Sequence, residues 1–208
     1  RQRQMCIRDR NNLWANLYTG IDRANSFLEY IQGSPIDETL IAQYMGEVRF
    51  LRAYYFFTLS SLWGDVPLRL KSTRDTDMEA LQMPSTPAAE VFDFIVTEME
   101  DVVGQVRAAD QLNGPGRISK STVEGILARV YLKMGGFPLY KGKEAFEKAA
   151  YWARKVRSSQ LHTLNPDYKE VFTNLSKDIY DLTYRESIWE IELSLIHISE
   201  PTRPRLIS

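Results

Sequence analysis

The 208 residues carry 26 Lys+Arg against 27 Asp+Glu, a net charge of −1, with one cysteine. Such a balance lacks the basic footprint that nucleic-acid binding needs, and no apolar run approaches the ~20 residues of a membrane span. A lone cysteine excludes an internal disulfide framework.

Residues 1–10 (R-Q-R-Q-M-C-I-R-D-R) and 193–208 (L-S-L-I-H-I-S-E-P-T-R-P-R-L-I-S) break the pattern beside them. Both resemble in-frame translations of transposase-type sequencing adapters. They are expected to be adapter-like rather than native, leaving 11–192 as one helical domain fragment. Without their six arginines and two acids the remainder holds 20 basic against 25 acidic residues, net −5, with His162 and no cysteine.

The first helix is expected over 11–31, where Leu13, Leu17, Ile21, Ala24, Leu28 and Ile31 step by three and four. Gly33-Ser34-Pro35 ends it, and Asp37 caps a second helix that runs to Leu62. Within 47–68 (E-V-R-F-L-R-A-Y-Y-F-F-T-L-S-S-L-W-G-D-V-P-L) lies the densest apolar stretch. Its inner stripe is expected to be Ile41, Tyr44, Val48, Leu51, Tyr55, Leu59 and Leu62. Tyr54 to Phe57 fill the other faces, which predicts a rod buried all round. Arg49 and Arg52 sit inside that rod, so a neighbouring helix must supply carboxylates or carbonyls to them.

Gly64-Asp65-Val66-Pro67 is turn chemistry, and a polar loop follows to Met83. Ser85-Thr86-Pro87 opens a third helix with Val91, Ile95, Met99, Val102 and Val106 inward; Glu98, Glu100 and Asp101 read as its solvated face. After the Asn113–Gly116 loop, Ser121-Thr122-Val123-Glu124 fits a capping box for a fourth helix, with Val123, Leu127, Val130 and Met134 inward and Gly135-Gly136 as its stop. A fifth helix is expected over 143–158 with Phe146, Ala149, Ala150, Ala153 and Val156 inward. Asn165-Pro166-Asp167 opens a short helical turn carrying Tyr168, Val171 and Phe172, and E-S-I-W-E-I-E reads as a strand. The fold class is thus mainly all-α: tetratricopeptide-like stacked helical hairpins with long loops and one short C-terminal strand.

Catalytic signatures fail one after another. His162 stands alone, no metal spacing or H-E-x-x-H occurs, residues 136–144 lack the phosphate-loop spacing, and G-x-S-x-G is absent. No cofactor motif is present. Aromatic residues at turns remain: Trp63, and Phe137 with Tyr140, besides Trp14 and Tyr18 on the first helix. A ring beside a carboxylate or amide holds a sugar by stacking on its C–H face while the polar group bonds hydroxyls. Trp63, Asp65 and Tyr140 are the candidate carbohydrate-binding residues on that ground. The rival reading makes the same rings core or hairpin plugs, above all Trp14 and Tyr55.

Four ordered blocks resemble the SusD/RagB family of outer-membrane nutrient-binding lipoproteins of Bacteroidota: W-A-N-L-Y-T-G-I-D-R-A-N, the 47–68 stretch, G-R-I-S-K-S-T-V-E-G-I-L-A-R-V-Y-L and E-S-I-W-E-I-E. The resemblance implies an internal fragment of a non-enzymatic protein. It further implies an outward-facing lipoprotein of the cell outer membrane, its lipid anchor outside this fragment, that captures a glycan or oligosaccharide ligand and passes it to a SusC-type TonB-dependent transporter. Arg52, Gly64 and Pro67 match family positions and read as structural, whereas Trp63, Asp65 and Tyr140 are not carried over from the family. A tetratricopeptide-like protein–protein adaptor is the alternative.

Overall fold

The structure, a computed structural model, describes residues 2–73, 82–177 and 179–191. Its helices are α1 (Gln2–Tyr30), α2 (Glu38–Trp63), α3 (Ala88–Val102), α4 (Lys120–Gly135), α5 (Gly142–Ser158) and α6 (Tyr168–Ser176), with a 3-10 turn at Ala109–Gln111. Each of the first five packs on its neighbour in sequence, α1 on α2 through α4 on α5. This is the stacked-hairpin arrangement that the helical periodicity predicts. The first helix starts at Gln2, upstream of the residue 11 at which the apolar stepping begins. The stretch 193–208 lies outside the described residues, as do residues 74–81 of the polar loop.

Helix α2 is the hub, about 39 Å long at ~1.5 Å per residue. The Asp37 side chain accepts from Thr39 N at 2.9 Å and Leu40 N at 3.3 Å, the expected cap. At the other end Gly64 adopts φ +80, donates its N–H to the Ser60 carbonyl at 3.0 Å and stops the helix. Its buried face, however, is not the predicted stripe. Gly46, Phe50, Ala53, Phe56, Leu59 and Ser60 are buried, while Leu62 is 55% exposed. The reason is that α2 lies between two helices, and small residues stand where backbones approach. A Cβ on Gly20 of α1 would come within 2.7 Å of the Tyr55 ring. Nor is the rod buried all round, since Tyr54, Tyr55 and Phe57 stay half-buried.

The register between helices is antiparallel throughout. Trp14, Gly20 and Asn25 of α1 meet Trp63, Tyr55 and Arg52 of α2. Arg49, Phe56 and Phe57 of α2 meet Glu98, Phe94 and Phe92 of α3. The inward residues of α3 and α4 are as expected: Val91, Ile95, Met99, Val102, Val123, Leu127, Val130 and Met134 are buried in one core. On α5 the inner face is instead Ala145, Ala149 and Trp152, and Phe146 is 45% exposed.

The buried arginines find their partners on the helix face that reads as solvated. Glu98 Oε1 accepts from Arg49 Nη2 at 2.7 Å, and Glu98 Oε2 accepts from Arg52 Nη2 at 2.7 Å. Arg52 Nη1 donates to Asn25 Oδ1 at 2.9 Å. Asp101 takes a second bond from Arg49 at 3.1 Å, and Glu100 accepts from the Tyr131 hydroxyl at 2.6 Å. The polar face of α3 is therefore an interhelical seam, which alternation of charge and apolar residues in one helix cannot reveal. Glu47 is likewise held from outside its helix, accepting from Arg117 Nε at 2.9 Å and Nη2 at 2.8 Å.

Two further expectations shift. The reciprocal cap on α4 sits two residues earlier than Ser121: Ser119 Oγ accepts from Thr122 N at 3.1 Å and Thr122 Oγ1 accepts from Ser119 N at 3.3 Å. Glu124 is thereby left out of the cap. The E-S-I-W-E-I-E segment forms no ladder among the described residues. Single bonds hold it, from Glu190 N to Pro115 O at 3.1 Å and from Thr122 Oγ1 to Ile188 O at 3.3 Å. Its Trp189 lies edge-on to Phe50 at 5.7 Å and Tyr54 at 5.1 Å, so burying the ring on α2 replaces strand pairing.

Candidate functional site

The turn after α2 is clamped at its neck. Val66 and Thr86 exchange both backbone hydrogen bonds, at 3.2 and 3.0 Å, in an isolated antiparallel bridge. Asp65 Oδ1 accepts from Ala88 N at 2.8 Å, which places a carboxylate at the positive start of α3 where Pro87 offers no side-chain cap. The loop beyond is laid along α1: Asn25 Nδ2 donates to the Arg69 and Lys71 carbonyls at 3.1 and 3.2 Å, and Asp22 and Glu29 hold Thr73 and Ser72. Tyr18 donates to Pro67 O at 2.8 Å; burial pushes its hydroxyl up to about 12, so it remains a donor across the neutral range.

Trp63 is half-buried within an aromatic row. Its ring is 5.2 Å from Trp14 at an interplanar angle of 78°, Trp14 is 5.0 Å from Tyr18, and the Arg10 guanidinium lies 5.8 Å from the Trp63 centroid. Asp65 is exposed, and its Oδ2 has no hydrogen-bond partner among the described residues. Tyr140 stands on the α4–α5 turn, 70% exposed, with φ +49 and its N–H on the Gly136 carbonyl at 2.8 Å. Phe137, 69% exposed, faces it edge-on at 6.0 Å, and Lys141 ties the turn to Asp93 of α3 at 2.6 Å.

Both features thus flank the first turns of α3, Asp65 at Ala88 and the Tyr140 turn at Asp93. Trp63 and Asp65 are neighbours along the chain but turn to different partners, Trp14 and Ala88, and Tyr140 stands at the same end of the stack with no ring contact to Trp63 among the described residues. Chemically this end offers exposed ring faces and a carboxylate oxygen without a hydrogen-bond partner among the described residues, the groups that bind hydroxylated ligands. Asp65→Ala is expected to cost about 1 kcal/mol in a urea titration, because α3 loses a cap. Asp65→Asn, which keeps the acceptor, should lie within a few tenths of the parent.

Two clefts escape sequence reading because they join distant segments. One of about 850 Å³ is walled by Tyr54 and Tyr55 of α2, by Arg107 and Arg117, and by Trp189. The other, about 290 Å³, lies between Asn113-Gly114-Pro115 and Asn165, Asn174, Tyr180 and Glu190. The density of Asn and Asp at 113, 165, 174 and 181 is the trace the second leaves in sequence. His162 presents Nδ1 to the Arg185 carbonyl at 2.7 Å. Among the described residues no group of three or more His, Cys, Asp or Glu could hold a metal ion, and no described helix is long and apolar enough to cross a membrane.

Antiparallel helix hairpins stacked in chain order on one core define a tetratricopeptide-like scaffold. A family model described as SusD-like, starch-binding and associating with the outer membrane matches residues 3–132, and the chain belongs to that family. It is 28% identical over 161 residues to the starch-binding protein SusD of Bacteroides thetaiotaomicron, a match covering 76% of this chain and 27% of that protein. A crystal structure of a SusD superfamily protein from Parabacteroides distasonis is 31% identical with a TM-score of 0.69, covering 76% of this chain and 33% of that one. A laminarin-binding SusD-like protein is 26% identical with a TM-score of 0.66, covering 79% and 35%. The chain spans about a third or less of the length of these relatives.

Proposed function

We propose that the intact protein is a non-catalytic glycan-binding protein on the outward face of the outer membrane, and that it captures oligosaccharide and hands it to a SusC-type TonB-dependent transporter. Family membership over residues 3–132 carries this reading, with a laminarin-binding protein among the structural relatives. In it, α1 to α5 are scaffold, and the end bearing Trp63, Asp65 and Tyr140 meets the glycan. Recovering the flanking gene sequence tests the assignment: a lipoprotein signal upstream and a TonB-dependent transporter gene alongside are expected, and absence of both rejects it.

Tyr140 supplies the cleaner local test because its ring is 70% exposed and supports no core. In the intact protein, Tyr140→Ala is expected to weaken retention in laminarin- or starch-containing gels roughly three- to tenfold, the scale of one lost ring stack, with an unchanged melting temperature. Trp63→Ala should weaken retention too while also lowering the melting temperature, since it uncovers Trp14. Unchanged retention in both variants removes this end of the stack from the glycan site.

A further inference from the structure

At the opposite end of α4 from the Tyr140 turn, a cavity of about 380 Å³ opens between the start of α4 and the end of α5, lined by Lys120, Ser121, Glu124, Lys155, Ser158 and Ser159. Its size falls in the range of small-molecule sites. Glu124 is 4% exposed as a residue, and its carboxylate, with no hydrogen-bond or ion-pair partner among the described residues, keeps its oxygens accessible where it lines this cavity. The α4 cap explains part of this, because Thr122 occupies the reciprocal position and Glu124 is released from it. Carboxylate oxygens that face a cavity unpaired are acceptors open to a ligand's hydroxyl hydrogens. Burial pushes its carboxyl above the usual carboxylate range, against the pull of Lys120 and Lys155.

Neither lysine satisfies it. Lys155 extends over the Tyr151 and Trp152 rings, at 5.0 and 4.9 Å from their centroids, and Lys120 is exposed. Ser158 and Ser159 spend their hydroxyl hydrogens on the Lys155 and Val156 carbonyls at 3.0 and 2.7 Å; Ser159 Oγ also accepts from Leu161 N at 3.4 Å, which makes the Ser158 oxygen the freer acceptor. The wall therefore offers a carboxylate and the Ser158 oxygen as acceptors, with the exposed Lys120 ammonium as a donor. An anionic ligand is repelled by Glu124, and a cationic one by the two lysines. A neutral polyol uses both sets of groups at once.

We propose that this cavity is a second binding site, taking one neutral sugar residue whose hydroxyls donate to Glu124. The choice of a sugar among neutral polyols rests on the glycan-binding reading above. Free glucose, galactose and mannose are the probes, titrated into isotope-labelled protein while the amide resonances of Ser121, Ser158, Ser159 and Leu161 are followed. At least one hexose is expected to shift them saturably. Glu124→Ala should weaken that binding about tenfold, the scale of a hydrogen bond to a charged group. Glu124→Gln, which keeps one acceptor and the side-chain volume, should weaken it less and keeps the test open if the alanine variant misfolds. No shift with any hexose, or equal affinity in wild type and the folded Glu124 variants, overturns the site. Gel retention by laminarin and starch is read separately, so a wild type that shifts with hexose but is not retained in either gel rejects the capture reading and leaves this cavity standing.

Discussion

Glu98→Gln is expected to destabilise the domain by about 3–5 kcal/mol, read from the urea midpoint at neutral pH. One carboxylate, 12% exposed at the side chain, holds two arginines that are themselves 20% and 11% exposed. The amide that replaces it keeps the volume but turns an NH2 group toward a guanidinium. It therefore leaves a buried positive charge without its counter-charge, and the cost exceeds that of a lost neutral hydrogen bond. The effect also spans three helices, because Arg52 reaches Asn25 of α1 from the same cluster. Asp101 is the control: its side chain is 57% exposed, so Asp101→Asn should cost less than about 1 kcal/mol.

The pH dependence follows from the same geometry. Burial alone would raise the Glu98 carboxyl, but hydrogen bonds from Arg49 and Arg52 outweigh it and hold the group below its usual range. A carboxyl whose folded value lies below its unfolded one contributes fully above the unfolded value, ~4.3 for glutamate, and loses that contribution as pH falls through the folded one. The stability gap between wild type and Glu98→Gln should accordingly be widest above pH ~5 and shrink in acid. A gap that is constant with pH would mean that Glu98 acts by packing alone.

Phe56→Ala is expected to cost about 3–5 kcal/mol by the same measurement. The ring is fully buried and meets Phe94 edge-on at 5.7 Å and 87°. It lies where α2 packs on α3, between the Arg49–Glu98 pair and the Asp65–Ala88 bond that tie the two segments, so the cavity has little freedom to collapse. Tyr54 and Phe57 are adjacent in sequence and equally aromatic but only half-buried; alanine there should cost clearly less. A similar loss at all three positions would restore the picture of a rod buried on every side.

The contrast between Phe56 and its neighbours separates what is local from what is not. Apolar stepping in Val91, Ile95, Met99 and Val102, and in Val123, Leu127, Val130 and Met134, marks buried positions correctly because both rows lie in the one core. Asp37 starts its helix, and Gly64 and Gly135-Gly136 end theirs, for reasons contained in a few neighbouring residues. The need of Arg49 and Arg52 for partners was equally legible, since a buried cation cannot go unpaired.

Sequence by itself determined the number of hairpins, their order, the helix stops and the four ordered blocks that mark the family, all properties of short windows. Tertiary structure alone decided which face of α2 is buried, because apolar and aromatic residues occur on several of its faces and the small residues Gly46, Ala53 and Ser60 lie on the buried one. It alone identified Glu98 as the partner of both arginines, placed Trp189 on Phe50 and Tyr54, and set Glu124 on the wall of a cavity. Each of these depends on groups tens of residues apart meeting in space, and one-dimensional periodicity carries no information about that distance.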